Sequence, residues 1–232
     1  GANTLDITAG AVLANALTVA DGAQIISSAG GGTLSSAQGL TLAAGPSTLR
    51  LAGAADGALV IGSNLTGGAS AGQVVEVTGG VVTLSGSNSQ DTTTVTAASG
   101  STLRLAASAA AGSGTITLNG NTLDITGGAQ IANLVTVDDG ATISSTSGGG
   151  TLTNAQTLTL ATGPSTLTLS GTTGNPLVVA RDLVGGASAG QAVVVNGGVV
   201  TLSGSNGQDA TAVSGGALSV AADAAPGVLG PT

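Results

Sequence analysis

The ionisable side chains of this sequence are ten aspartates, one glutamate and three arginines. There is no His, Cys, Lys or Tyr, so most of the general bases and nucleophiles that enzymes use are missing. Clustered carboxylates alone can still cleave polysaccharides or hold a hard cation through oxygen ligands. The pattern of the acids points elsewhere. Asp6 recurs as Asp124, Asp21 as Asp139 and Asp91 as Asp209, each 118 positions later. Residues that return in every copy of a repeat belong to the scaffold rather than to one active site. Asp21 and Asp139 each precede a glycine, which is turn chemistry. The acids without a copy are Asp56, Glu76, Asp138, Asp182 and Asp223, and they are scattered. Asp138 and Asp139 form the one adjacent pair. We read it as a solvated turn that would support at most weak Ca²⁺ binding; no segment fits the glycine-rich calcium-binding nonapeptide. Arg50 and Arg104 share a Thr-Leu-Arg-Leu setting, where solvated pairs with nearby acids are expected. No catalytic residue and no cofactor is assigned, and the chain is not read as an enzyme. A carbohydrate-cleaving site would need a compact acidic cluster around Glu76 or Asp56.

Positioning these residues falls to a repeat. Residues 3–8 (NTLDIT) return at 121–126, 31–34 at 149–152, 45–49 at 163–167, 67–73 at 185–191 and 81–88 at 199–206. Self-similarity on this scale marks a stacked array. A finer echo lies inside the unit, since residues 47–52 (STLRLA) match 101–106. Two tandem units follow, 1–118 and 119–232, read as one continuous solenoid.

Short runs of four or five residues alternate aliphatic side chains with Thr or Ser, which is the period of a strand. The expected strands of the first unit cover residues 4–8, 16–19, 24–27, 40–42, 48–52, 58–61, 74–77, 81–85, 93–96, 102–106 and 115–118, with 122–126 opening the second. Gly, Asn and Asp clusters separate them and supply tight corners. The Ala-rich run 106–111 is helix-like in composition, but Gly112 and Gly114 end it among strand-like neighbours. Antiparallel sandwiches share this strand spacing, yet a sandwich does not predict that one half copies the other in register. With roughly 20 to 25 residues per coil and about 4.8 Å between strands, about ten coils would make a rod on the order of 50 Å long. Without aromatic residues the core must be thin and built from Leu, Val, Ile and Ala.

Composition removes several function classes. The formal net charge is -8, so the basic residues that neutralise phosphates or anionic membranes are lacking. No nucleic-acid partner and no membrane insertion are expected. With 41% apolar residues and a mean hydropathy of +0.49, the chain is too apolar for a disordered Gly/Ser-rich segment. No apolar run approaches the roughly 18 residues of a membrane-spanning helix, and no signal peptide is visible. Thr-x-Thr segments such as 115–117 are read as β-propensity rather than an ice-binding array.

Residues 82–88, 92–96, 100–105, 109–119 and 122–125 together resemble the autotransporter-associated β-strand repeat of bacterial passenger domains and surface adhesins. The second copy follows this pattern from 200 to 220 and then diverges. The aromatic position of that repeat is held here by Ser89, Gln90 and Asp91. The resemblance implies a right-handed parallel β-helix, secreted by a Gram-negative bacterium and displayed outside the cell. The fold class expected is therefore all-β, a parallel β-helix.

Residues 214–227 align with 99–112, so the chain's two ends could meet almost as one coil. The residues expected at such a junction are Gly1, Ala2, Asn3, Leu5 and Ile7 at one end and Val228, Leu229 and Thr232 at the other. Uncapped solenoid ends expose unpaired N–H and C=O groups. The expected function is an extracellular structural protein that polymerises head to tail with itself into a filament, sheath or surface layer. The runner-up is an adhesin passenger that binds a host surface or glycan through one face.

Overall fold

The computed structural model describes residues 3–35, 38–67, 72–96, 100–185, 190–221 and 228–229. It is all-β, and the chain winds as a parallel β-helix. Contacts group it into two units, Gly1–Ile116 and Thr117–Thr232.

In the first unit each coil has three sides. One side stacks Thr4–Asp6, Gln24–Ile26, Ser47–Ala52, Gln73–Gly79 and Thr92–Val95, all parallel. The next stacks Ala11–Leu13, Gly32–Leu34, Leu59–Ile61, Val81–Leu84 and Thr102–Leu105. The third, narrowest side stacks Leu17–Thr18, Leu40–Thr41 and Leu65–Thr66.

The second unit repeats the plan. Its first side runs Thr122–Ile125, Thr142–Ser144, Ser165–Ser170, Gln191–Leu202 and Ala210–Val220. Its second side runs Ala129–Ile131, Gly150–Leu152 and Leu177–Val179 and then joins the same two long strands. Its third side is Val135–Val137, Leu158–Thr159 and Leu183–Val184. Val228–Leu229 adds a short rung on Ala210 and Thr211.

The coils are not uniform. Along the first side, successive register partners lie 20, 26, 26 and 18 residues apart in the first unit. The same series of 20, 26, 26 and 18 recurs in the second. On the second side the spacing reaches 27 residues, at Gly32↔Leu59 and Gly150↔Leu177. The repeat is thus a repeat of unequal coils, and it is kept in register.

The alternation expected in the strand around residue 50 is present. Leu49 and Leu51 are buried, while Thr48 and Arg50 face outward. Register then turns single residues into interior columns. Ile25, Leu51, Val77 and Val95 stack on one side, and Leu34, Ile61, Leu84 and Leu105 on the next. Each fully buried aliphatic side chain contributes about 1.5–3 kcal/mol relative to exposure. These columns carry the hydrophobic stabilisation that aromatic residues supply elsewhere.

Three strands of the first unit are not among those expected from the sequence. Ala11–Leu13, Gly32–Leu34 and Leu65–Thr66 have only two or three residues and begin beside glycine or polar residues. The Ala-rich run is not helical. It makes a turn in which Ala110 N donates to Ala107 O and Gly112 N to Ala109 O, with Ala110 and Ala111 packed into the core.

Candidate functional site

The recurring acids are inter-coil pins. Asp6 accepts from the backbone N–H of Ser28 at 3.0 Å and its hydroxyl at 2.6 Å. Its copy Asp124 treats Thr146 the same way, at 3.0 and 2.6 Å. Asp21 accepts from Thr48 N at 2.9 Å, and Asp139 from Thr166 N at 2.8 Å. Asp91 accepts from the amides of Gly72 and Gln73, and Asp209 from those of Gly190 and Gln191. In each case a carboxylate satisfies backbone donors on a neighbouring coil at a corner where the strand ladder breaks. Two copy-less acids act alike: Asp56 accepts from Gly30 N, and Asp182 from Ser205 N at 2.8 Å.

These pins differ in what they hold, which gives a test. Asp91→Ala leaves two amides of one corner without their acceptor. We expect a loss of about 1–2 kcal/mol in unfolding free energy. Asp138→Ala should lie within about 0.5 kcal/mol of wild type, since the exposed Asp138 carboxylate pins nothing among the described residues. Urea titrations of both variants check the contrast; equal losses would sink it.

The structure therefore separates the adjacent pair. Both line an open hollow beside Thr136, Thr159 and Thr162, but only Asp139 is committed, to Thr166 N. Among the described residues no group of three or more acids comes together. Glu76 is held by Arg50 at 2.9 Å and by the Thr96 hydroxyl at 2.7 Å. That ion pair is the solvated kind expected of Arg50. Asp223 lies outside the described residues.

Arg181 is the residue that sequence reasoning missed. It is 1% exposed and sits inside the coil. Its Nε donates to Thr153 O at 3.1 Å, and its terminal nitrogens donate to Asn133 O at 2.8 Å and Ile131 O at 2.7 Å. One guanidinium thus ties its own coil to the two before it. Burial pulls its pKa down from the ordinary guanidinium value to about 10. The corresponding position of the first unit is Ser63, whose hydroxyl donates to Ser35 O across a single coil. The exchange of Ser63 for Arg181 between copies was the available signal.

Of the residues assigned to a junction, Gly1, Ala2 and Thr232 lie outside the described residues. Asn3 is exposed and Leu5 half-buried, whereas Ile7 is buried within the first coil. Val228 and Leu229 form the short final rung. A hollow of about 150 Å³ opens beside Asn3, Leu5, Leu17 and Ile25, and Val12 is 65% exposed. The second-unit counterparts of Leu5, Leu13 and Leu17, which are Leu123, Ile131 and Val135, are all 0% exposed, whereas Val12 points outward like its exposed counterpart Gln130.

The third side of the second unit carries two further hollows of about 460 Å³ each. One is lined by Asn154, Ala155, Gln156, Thr157 and Asp182. The other is lined by Asp182 to Gly185 and by Ser205, Asn206 and Gly207. Asp182 is common to both.

A parallel β-solenoid with pinned corners and shallow surface hollows is what the geometry defines. Comparison with protein-family models, with curated proteins and with solved structures finds no match for this chain.

Proposed function

We propose that the chain is an extracellular structural protein that assembles with copies of itself, coil on coil, into a filament, sheath or surface layer. The observation that carries this reading is the register repeat: the coil series of 20, 26, 26 and 18 residues occurs in both units, so a coil of one copy presents a strand pattern that a coil of another copy can continue. The inward Leu5, Leu13 and Leu17 are half-buried, whereas their counterparts Leu123, Ile131 and Val135, with coils on both sides, are 0% exposed. Unpaired strand edges recruit further strands, and a head-to-tail contact that does not close on itself propagates.

Two other features support a scaffold. The recurring acids and Asp56 hold neighbouring coils together. The resemblance to the autotransporter-associated repeat favours secretion and display at a bacterial surface.

The test is negative-stain electron microscopy and sedimentation of the chain over a range of concentrations, with and without calcium. Fibres or sheets that grow with concentration are the expected result. A Val12→Lys variant, which places a charge on the open edge, should remain folded by circular dichroism yet stay monomeric. A monodisperse wild-type monomer at every concentration overturns the proposal.

A further inference from the structure

We infer that the third side of the second unit binds a neutral carbohydrate chain, in the groove that runs past Asp182. Three observations carry this, and none depends on the assembly reading.

The first is a difference between the two copies. The exposed Leu134, Thr157 and Asp182, each one residue before the three strands of this side, form one outward column, and register aligns Thr136, Thr159 and Val184 as another. The corresponding columns of the first unit are Ala16, Gly39 and Asn64, and Thr18, Thr41 and Thr66. Four of these six outward positions differ, and each change adds bulk, charge or apolar surface. Coil geometry does not require the additions, because the first unit forms the same three-strand side without them.

The second is uncommitted polarity. Elsewhere in the chain the Asn and Asp side chains mostly pin backbone groups: Asn64 holds Ser87 N and Asn88 holds Leu65 N. Here Asn154, Gln156 and Thr157 line the hollow with side chains that bond to no described residue, and Asp182 uses only one carboxylate oxygen, on Ser205 N. Carboxamides, hydroxyls and a carboxylate offer both donors and acceptors.

The third is the apolar flank. Val184, 41% exposed, lines the second hollow with Asp182, and Leu134 is 39% exposed just before the first strand of the same side. Sugar rings present hydroxyl edges and C–H faces, and a groove that alternates polar groups with aliphatic patches matches both. Two neighbouring hollows that share Asp182, one mainly polar and one mainly apolar, suit a chain with more than one sugar ring. The unit's one described cation, Arg181, points into the coil, so an anionic glycan would meet Asp182 with no compensating charge. That selects a neutral chain. A peptide would pair with a strand edge rather than with side chains on a sheet face.

The experiment is an amide chemical-shift titration of the full chain with neutral probes: malto-, cello-, manno- and xylo-oligosaccharides. Oligogalacturonate is the anionic counterpart. We expect one neutral series to move the amides of Leu183, Gly185 and Gly207 with a Kd of about 1 mM, as suits a shallow site. The anionic probe should bind at least about tenfold more weakly, the effect of one unfavourable charge contact. A variant carrying Thr157→Gly, Asp182→Asn and Val184→Thr restores the first unit's residues at the three of the four differing positions that line the hollows. Asn64 shows that asparagine keeps the backbone pin, so this variant should fold and lose about tenfold or more in affinity. The inference is overturned if no neutral probe moves these amides at about 10 mM. It is also overturned if the variant binds like wild type, or if the amides move with protein concentration alone, which would make the face a contact between copies.

Discussion

Arg181→Ala should lower the unfolding free energy by about 3 kcal/mol. The substitution removes a buried side chain that fills interior space and donates to carbonyls on two other coils. Arg181→Met keeps the volume and should lose less, because replacing a buried charge by an apolar group of similar size removes its desolvation cost. A pH dependence separates charge from packing. The folded pKa of about 10 lies below the ordinary guanidinium value, so between the two the unfolded chain holds the extra proton. Stability should therefore rise with pH across that window, and the full cost of the buried charge should persist below it. There is no Lys, Cys or Tyr to mask the effect with its own titration. Urea unfolding at pH 7 and near pH 11 reads both quantities. Wild type should gain stability at the higher pH and Arg181→Ala should not. A loss under about 1 kcal/mol with no difference in slope would mean that the guanidinium is solvated.

The second large effect is expected at a corner. Gly198 has φ +60, and a Cβ there would lie 2.1 Å from the carbonyl oxygen of Gly171 on the preceding coil. Its copy Gly80, with φ +56, would meet Gly53 O at 2.2 Å. Alanine at Gly198 carries the left-handed penalty and also pushes two backbones apart. We expect a cost of about 2–4 kcal/mol. Gly174 has no atom within 4 Å of its would-be Cβ and no positive φ, so Gly174→Ala should change stability by less than about 0.5 kcal/mol. Thermal unfolding of both variants measures the contrast. Similar behaviour would show that the corners give way more easily than their spacing implies.

Much of the fold was legible because the core obeys a simple period. In Ser47–Ala52 the alternation of Leu with Thr and Arg foretold which side chains would be buried. The offset of 118 residues foretold a coil order that register then reproduces, length for length. The third side was partly hidden. A strand of two residues such as Leu65–Thr66 has no period to read, and its extended shape is imposed by the coils on either side. The site was less legible. The role of Arg181 depends on carbonyls 28 to 50 residues away, which only the stacking brings within reach. Asp138 and Asp139 looked alike in sequence, yet only Asp139 has an amide in front of it. The recurrence of Asp91 was visible, whereas its partners at Gly72 and Gln73 were not, because coil length decides what faces a corner.

The unequal coil lengths bear on how such a chain yields under tension. Each coil contacts its neighbours through ladders at right angles to the strands, so a pull on a chain end strips one coil at a time and need not loosen the whole. The slack set free at each event is then fixed by coil length. It runs from about 60 Å for an 18-residue coil to about 90 Å for a 27-residue one. Both units would pay out the same sequence of long and short releases, so the 20, 26, 26 and 18 series doubles as a record of extension, written twice along one thread.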